Sequence, residues 1–165
     1  MSETSKLSFT IRTASAREVL DLRHRVLRAG LPREEASFDG DDGSQARHFA
    51  ALDQTGAVVG CATIMPSDWK GKPAWRLRGM AVEEGWRLKG VGGALLRAIE
   101  TSIAPHAELP APQLWCNART PAVEFYKRNG WVIASEEFDI ETAGPHFRMT
   151  RTTSDRCTTL GKAHG

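Results

Sequence analysis

The sequence predicts a single-domain α/β fold, on three observations. Runs that alternate apolar and polar residues, as strands do, are interleaved with runs whose apolar residues recur every three or four positions, as helices do. Short turn-forming segments, "QTG" and "DWKGKP", separate neighbouring strand-like runs. The helix-like runs also carry start and stop residues of their own, such as Ser15 with Glu18 and, further on, Pro121 with Gly130. The resulting order is strand, helix, three strands, helix, strand, helix and two strands, which indicates one layered α/β structure.

In chain order, "LSFTIR" reads as the first strand. "SAREVLDLRHRVL" follows as a helix opened by a capping box, with Val19, Leu22, Val26 and Leu27 as its apolar stripe. Residues 29–45 read as a long loop with one helical turn at most. "RHFAALD" and "AVVGCATIMPS" form two strands about "QTG", and "AWRLRGMAV" is the fourth strand. Val91, Ala94, Leu95, Ala98, Ile99 and Ile103 recur at helical spacing, and Pro105 with "LPAP" ends that helix. "QLWCN" is the fifth strand. The next helix has Thr120 as its expected N-cap, Pro121 at the first helical position and Gly130 just past its end. "WVIASEEFDI" and "HFRMTR" are the last two strands. Residues 1–6 and 151–165 are polar and aperiodic, so mobile ends are expected around a domain over 7–150.

Composition excludes several classes. A chain of 165 residues with a net charge of +2 is too weakly basic to argue for nucleic acid. No apolar run approaches the ~18 residues that suggest a membrane span, and "MSETSKLSFT" lacks the apolar core of a signal peptide. A cytoplasmic location with no membrane partner is therefore expected. Cys61, Cys116 and Cys157 are widely spaced with no CxxC pair, which suits free thiols better than zinc ligands or disulfides.

The segment "VEEGWRLKGVGGALLRAIE" carries the strongest functional signal. Gly90, Gly92 and Gly93 stand at the mouth of an amphipathic helix, with Arg87 and Lys89 beside them. One reading is a connector that needs only positive φ or close packing. The other is an anion site, because the first turn of a helix offers unpaired N–H groups and glycine lets a phosphate oxygen reach them. A dinucleotide fingerprint fails because Leu95 stands at its third glycine position. A nucleotide P-loop fails because Val91 and Gly92 stand at its Lys and Ser/Thr positions.

Arg87-x-x-Gly90-x-Gly92 resembles the pyrophosphate loop, [Q/R]-x-x-G-x-[G/A], of the GNAT superfamily of acyl-CoA-dependent N-acyltransferases. "NARTPAVEFYKRNGW", "VLDLRHRVL" and "GPHFRM" resemble further segments of that superfamily, so the likeness spans residues 7–150. It implies a mixed, mostly antiparallel sheet of six to seven strands with about four helices, splayed between the fourth and fifth strands. It implies acetyl-CoA as cofactor, with Arg87, Leu88, Lys89, Gly90, Val91, Gly92 and Gly93 at its pyrophosphate. Met80, Ala81 and Val82 would lie along the pantetheine arm, where a backbone N–H could also hold the developing oxyanion. Alternation alone would make Met80 and Val82 core residues, a role compatible with using only their backbone.

Tyr126, the single tyrosine, matches the superfamily's tyrosine and is implied as the acid that protonates the leaving thiolate. Packing beside Phe125 is the structural alternative. Glu83 is a candidate general base; His48, His146, Glu137 and Asp139 are others, as is a water chain. Superfamily members often carry Asn or Gln seven residues before the tyrosine. Arg119 stands there instead, and Asn117, on the same strand face, is the substitute cofactor contact. Arg119 could instead meet a phosphate or a substrate carboxylate. Cys116 raises an acyl-enzyme alternative. In residues 33–43, Glu34, Glu35, Asp39, Asp41 and Asp42 oppose Arg33 alone, which would attract a cationic amine or simply face solvent. The expected function is N-acetyl transfer to a primary amine of a small molecule or peptide, with a homodimer left open. The alternative is a non-catalytic acyl-CoA-binding module.

Overall fold

The computed structural model describes residues 8–103 and 113–152. Residues 1–6, Pro105, Cys157 and the chain from 153 lie outside the described residues, so the expected mobile ends and helix stop lie there too. The strands are β1 (Thr10–Ala14), β2 (Arg47–Leu52), β3 (Val58–Pro66), β4 (Ala74–Val82), β5 (Gln113–Arg119), β6 (Val132–Ile133), β7 (Phe138–Ile140) and β8 (Gly144–Thr152). The α-helices are α1 (Ala16–Leu27), α2 (Val91–Ile103) and α3 (Val123–Arg128). Strand β8 continues two residues past the expected domain edge at 150.

The strands are hydrogen-bonded in the order β1-β2-β3-β4-β5-β8-β6, with β7 also paired to β8. β4 and β5 run parallel, and their pairing covers only Ala74–Arg76 against Gln113–Trp115. Beyond that point β4 continues to Val82 and β5 to Arg119 without pairing to each other, which is the expected splay. Among the described residues there are three α-helices rather than about four; residues 29–45 contribute a 3-10 turn at Arg33–Ala36.

Local chemistry explains where the elements start and stop. The α1 capping box forms as expected: Glu18 N–H donates to Ser15 Oγ at 3.2 Å and Ser15 N–H to the Glu18 carboxylate at 3.0 Å. The N-cap expected at Thr120 does not form. A 3-10 turn, Thr120–Ala122, precedes α3, whose N-cap is Ala122 with no side-chain bond. The Thr120 hydroxyl instead donates to Glu137 at 3.0 Å. Gly130 ends the helix at φ +88°, where glycine avoids the strain of a left-handed turn. The strand expected over "WVIASEEFDI" is broken into β6 and β7, because Ser135 Oγ takes the N–H of Arg148 and interrupts the backbone ladder.

The described residues group into two compact units: one from residues 8–65 with Gly79–Ile99, the other from Pro66–Arg78 with the described residues from Glu100 onward. In the first, Val19, Leu22, Cys61 and Ala81 form a buried cluster, joined by Ala14, Val26, Leu27 and Val58. Helix α2 lies close on β3 there: a Cβ on Gly60 would fall 2.6 Å from Val91 Cγ1. In the second, Leu77, Leu114, Cys116, Tyr126, Trp131 and Met149 are buried. Arg151 Nε pairs with Glu100 at 2.9 Å beneath Gly130.

Candidate active site

In the first unit, β4 ends at Val82 and a 3-10 turn, Glu84–Trp86, leads into the glycine segment. Trp86 anchors the turn by an edge-to-face contact with Phe9 at 6.3 Å. Leu88 then takes φ +63° with its side chain 96% exposed, and Gly90 takes φ +85° with open space on its Cβ side. The first α2 bond is Ala94 N–H to Gly90 O at 3.1 Å, so the amides of Val91, Gly92 and Gly93 have no intrahelical acceptor. Val91 buries its side chain, which fixes the first turn while Arg87, Lys89 and Gly90 stay exposed. Arg87 Nε is held by the carbonyl of Val82 at 3.3 Å. Unpaired amides, bare glycine and two exposed cations therefore share one turn, an arrangement suited to a phosphate.

Gly79, at φ +65°, breaks the regular course of β4 just before Met80, Ala81 and Val82. Ala81 is buried, while Met80 and Val82 are half-buried. Glu83 follows, its backbone N–H tied to Val59 O at 2.9 Å and its carboxylate ion-paired with Arg25 at 2.6 Å. One oxygen of this candidate base is thus already committed.

A polar network behind Gly79 was not expected from the sequence. Arg23 is fully buried and donates to Asp41 Oδ2 and to Thr63 Oγ1, both at 2.5 Å, and to Ala36 O at 3.3 Å. Its guanidinium also lies 4.5 Å from the Phe38 ring centre. The clue in the sequence is its place in the α1 stripe, one residue after Leu22 and four after Val19. The network takes one charge out of the acidic loop: Asp41 is buried against Arg23, while Arg33 pairs outside the loop with Asp21 and Glu34, Glu35, Asp39 and Asp42 stay exposed. His48 leaves the list of base candidates, because Nε2–H donates to Asp41 O at 2.9 Å and Nδ1 shares a 2.7 Å bond with the Thr63 hydroxyl.

In the second unit, β5 buries Leu114, Cys116 and Ala118 and leaves Trp115, Asn117 and Arg119 half-buried on the opposite face. Asn117 Oδ1 is buried with no hydrogen-bond partner. Tyr126 on α3 packs against Phe125 and Trp131, with ring centres 5.1 and 5.3 Å away. Burial first, and the Cys116 thiolate charge second, raise Tyr126 well above the ordinary phenol value, so the hydroxyl keeps its proton. Burial also pushes Cys116 up to about 12, which removes the thiolate that an acyl-enzyme route requires. His146 is buried with Nδ1–H on Gly144 O at 2.7 Å, and Asp139 is exposed. Among the described residues no three His, Cys, Asp or Glu side chains gather as metal ligands would.

The family described as "Acetyltransferase (GNAT) domain" matches residues 44–133, more than half of the chain. The chain belongs to the GNAT acetyltransferases. The GNAT assignment agrees with a 30% identity over 145 residues to the uncharacterized N-acetyltransferase YitI of Bacillus subtilis (strain 168), covering 86% of this chain and 95% of that protein. Among solved structures, Escherichia coli YhbS in complex with CoA superposes with a TM-score of 0.67 at 19% identity, over 94% of this chain and 87% of that one. An aminoglycoside 6'-N-acetyltransferase complexed with coenzyme A gives 0.66 at 16% identity, over 87% of this chain and 97% of that one. At those identities the two structures support the GNAT fold alone. No helix among the described residues is long and apolar enough to cross a membrane.

Proposed function

We propose that this GNAT acetyltransferase moves an acetyl group from acetyl-CoA to a primary amine of a small molecule or peptide by direct transfer. The observation that carries the proposal is the turn Arg87–Gly93, where orphan amides and exposed cations coincide in a family whose donor is acetyl-CoA. The residues present fit that group: no Cβ crowds Gly90, and Val91 holds the first turn of α2 from inside. Arg87, Leu88, Lys89, Gly90, Val91, Gly92 and Gly93 would hold the pyrophosphate. Met80, Ala81 and Val82 would offer backbone groups to the pantetheine arm, and Asn117 an acceptor for one of its N–H groups.

Bound acetyl-CoA supplies the thioester: its C–S bond breaks as the acceptor nitrogen forms a C–N bond, and the amine proton ends on the thiol. The chain's own contribution is placement and charge. A backbone N–H beside Met80–Val82 stabilises negative charge on the acyl oxygen. Tyr126, protonated at every physiological pH, is the group that donates to sulfur. Glu83, released from Arg25 or acting through a water, is the proposed proton acceptor from the amine.

Wild type and Tyr126→Phe, assayed by free coenzyme A thiol across a panel of primary amines, test the reading. Turnover should fall about 100-fold or more in the variant, while acetyl-CoA at about 100 times Kd should stabilise both proteins by about 2.7 kcal/mol. Equal turnover removes Tyr126 from the acid role. Stabilisation with no thiol release from any amine points to a binding module instead.

A further inference from the structure

Arg25 stands on the exposed flank of α1, two residues after the buried Arg23, and reaches the end of β4 within the first unit. Its Nη1–H donates to Glu83 Oε1 at 2.6 Å, and the acetyl-transfer reading gives that contact no role of its own. The two side chains are 54% and 36% exposed, so water and salt screen the pair and it adds little to stability. What the contact does fix is position.

Glu83 is held from three directions. Its N–H is tied to Val59 O at 2.9 Å, which pins the backbone to β3. The carbonyl of Val82, the residue before it, is held by Arg87 Nε at 3.3 Å. Arg25 then pins the far end of the side chain from α1, whose Val19 and Leu22 share a buried cluster with Ala81 of β4. A free glutamate explores many rotamers, and one fixed at both ends does not. The two carboxylate oxygens are therefore unlike. Oε1 is committed to Arg25, whereas Oε2 has no hydrogen-bond partner among the described residues. Arg25 likewise makes this single contact among them.

We propose that Arg25 is the positioning residue of Glu83: it keeps Oε1 throughout the reaction and leaves Oε2 to take the amine proton, directly or through one water. The amine N–H bond breaks, its electron pair stays on nitrogen, and the proton rests on Oε2 until solvent takes it. Arg25 itself touches no reacting atom. The proposal rests on the reading of Glu83 as the proton acceptor.

The test compares wild type, Arg25→Met, Arg25→Lys, Glu83→Gln and the double variant Arg25→Met with Glu83→Gln by free coenzyme A thiol. Propylamine, 1,3-diaminopropane, phenylethylamine and a lysine peptide serve as acceptors. Arg25→Met should lower kcat about 10-fold or more, the scale of a misplaced catalytic group, with the KM for acetyl-CoA and the urea midpoint unchanged. Arg25→Lys keeps one charged donor, which is all the single contact needs, and should recover most of that loss. Glu83→Gln should lose about 100-fold or more, and adding Arg25→Met to it should cost nothing further. Turnover by Arg25→Met equal to or above wild type overturns the proposal, as does a loss that persists in the Glu83→Gln background. A fall in kcat that follows a lower urea midpoint and is not restored by lysine makes the contact structural and overturns it too. Glu83→Gln with wild-type turnover, or a wild type that acetylates none of the amines, sinks the reading of Glu83 and this proposal with it.

Discussion

Arg23 and Arg76 show two ways of keeping an arginine away from water. Arg23, in the first unit, is fully buried and meets Asp41, Thr63, the Ala36 carbonyl and the Phe38 ring; only Nε, under Gly79, lacks an acceptor. Arg76, in the second unit, is half-buried over Trp115 with no carboxylate and two further guanidinium groups near it. The first charge is answered by the chain itself, so its role is structural. The second is answered by an aromatic ring rather than by a carboxylate.

That contrast can be broken most directly at Arg23. Arg23→Met strands Asp41 in the core and should cost about 3–5 kcal/mol in urea unfolding, the range for breaking a buried pair; a loss under about 1 kcal/mol would reduce the network to an incidental contact. Gly79→Ala comes next. Its Cβ would sit 2.6 Å from Arg23 Nε at φ +65°, so about 1–3 kcal/mol should be lost. In the double variant with Arg23→Met the two losses should fall short of additive, since the clash has gone. Additive losses would mean that Gly79 is needed for backbone strain alone.

Arg76→Gln should change stability by less than about 1 kcal/mol in either direction, because half-exposed charges are screened and like-charge repulsion is relieved. A loss comparable to that of Arg23→Met would make Arg76 structural too. The smallest effect belongs to an exposed pair, Arg12 with Glu18 at 2.6 Å. The Arg12 bond, and then the Ser15 amide, lower Glu18 from 4.5 to about 2. Its contribution is therefore complete above about pH 4.5 and fades as pH falls toward 2. Glu18→Gln should flatten the stability curve over that interval, and an unchanged slope would mean the pair contributes nothing.

Signals within a few residues were legible. The α1 capping box needs Ser15 and Glu18 three apart, and the glycine turn needs Gly90 beside the first amides of α2; both follow from neighbours in the chain. Thr120 was misread because a hydroxyl can choose any donor or acceptor it reaches, and Glu137, seventeen residues on, outbid the helix amide. The break between β6 and β7 escaped for the same reason, since Ser135 competes with backbone for an N–H on β8.

The sequence by itself determined the α/β order from periodicity and the glycine turn from short spacings, and its resemblance to the GNAT superfamily implied the family and the splayed strand pair. Only the tertiary structure decided which charges are spent and which are open. Asp41 and Arg23 stand eighteen residues apart, and Arg76 comes beside Arg148 through the pairing of β4, β5 and β8. Electrostatic energy depends on separation in space and on burial, and neither can be read from separation along the chain.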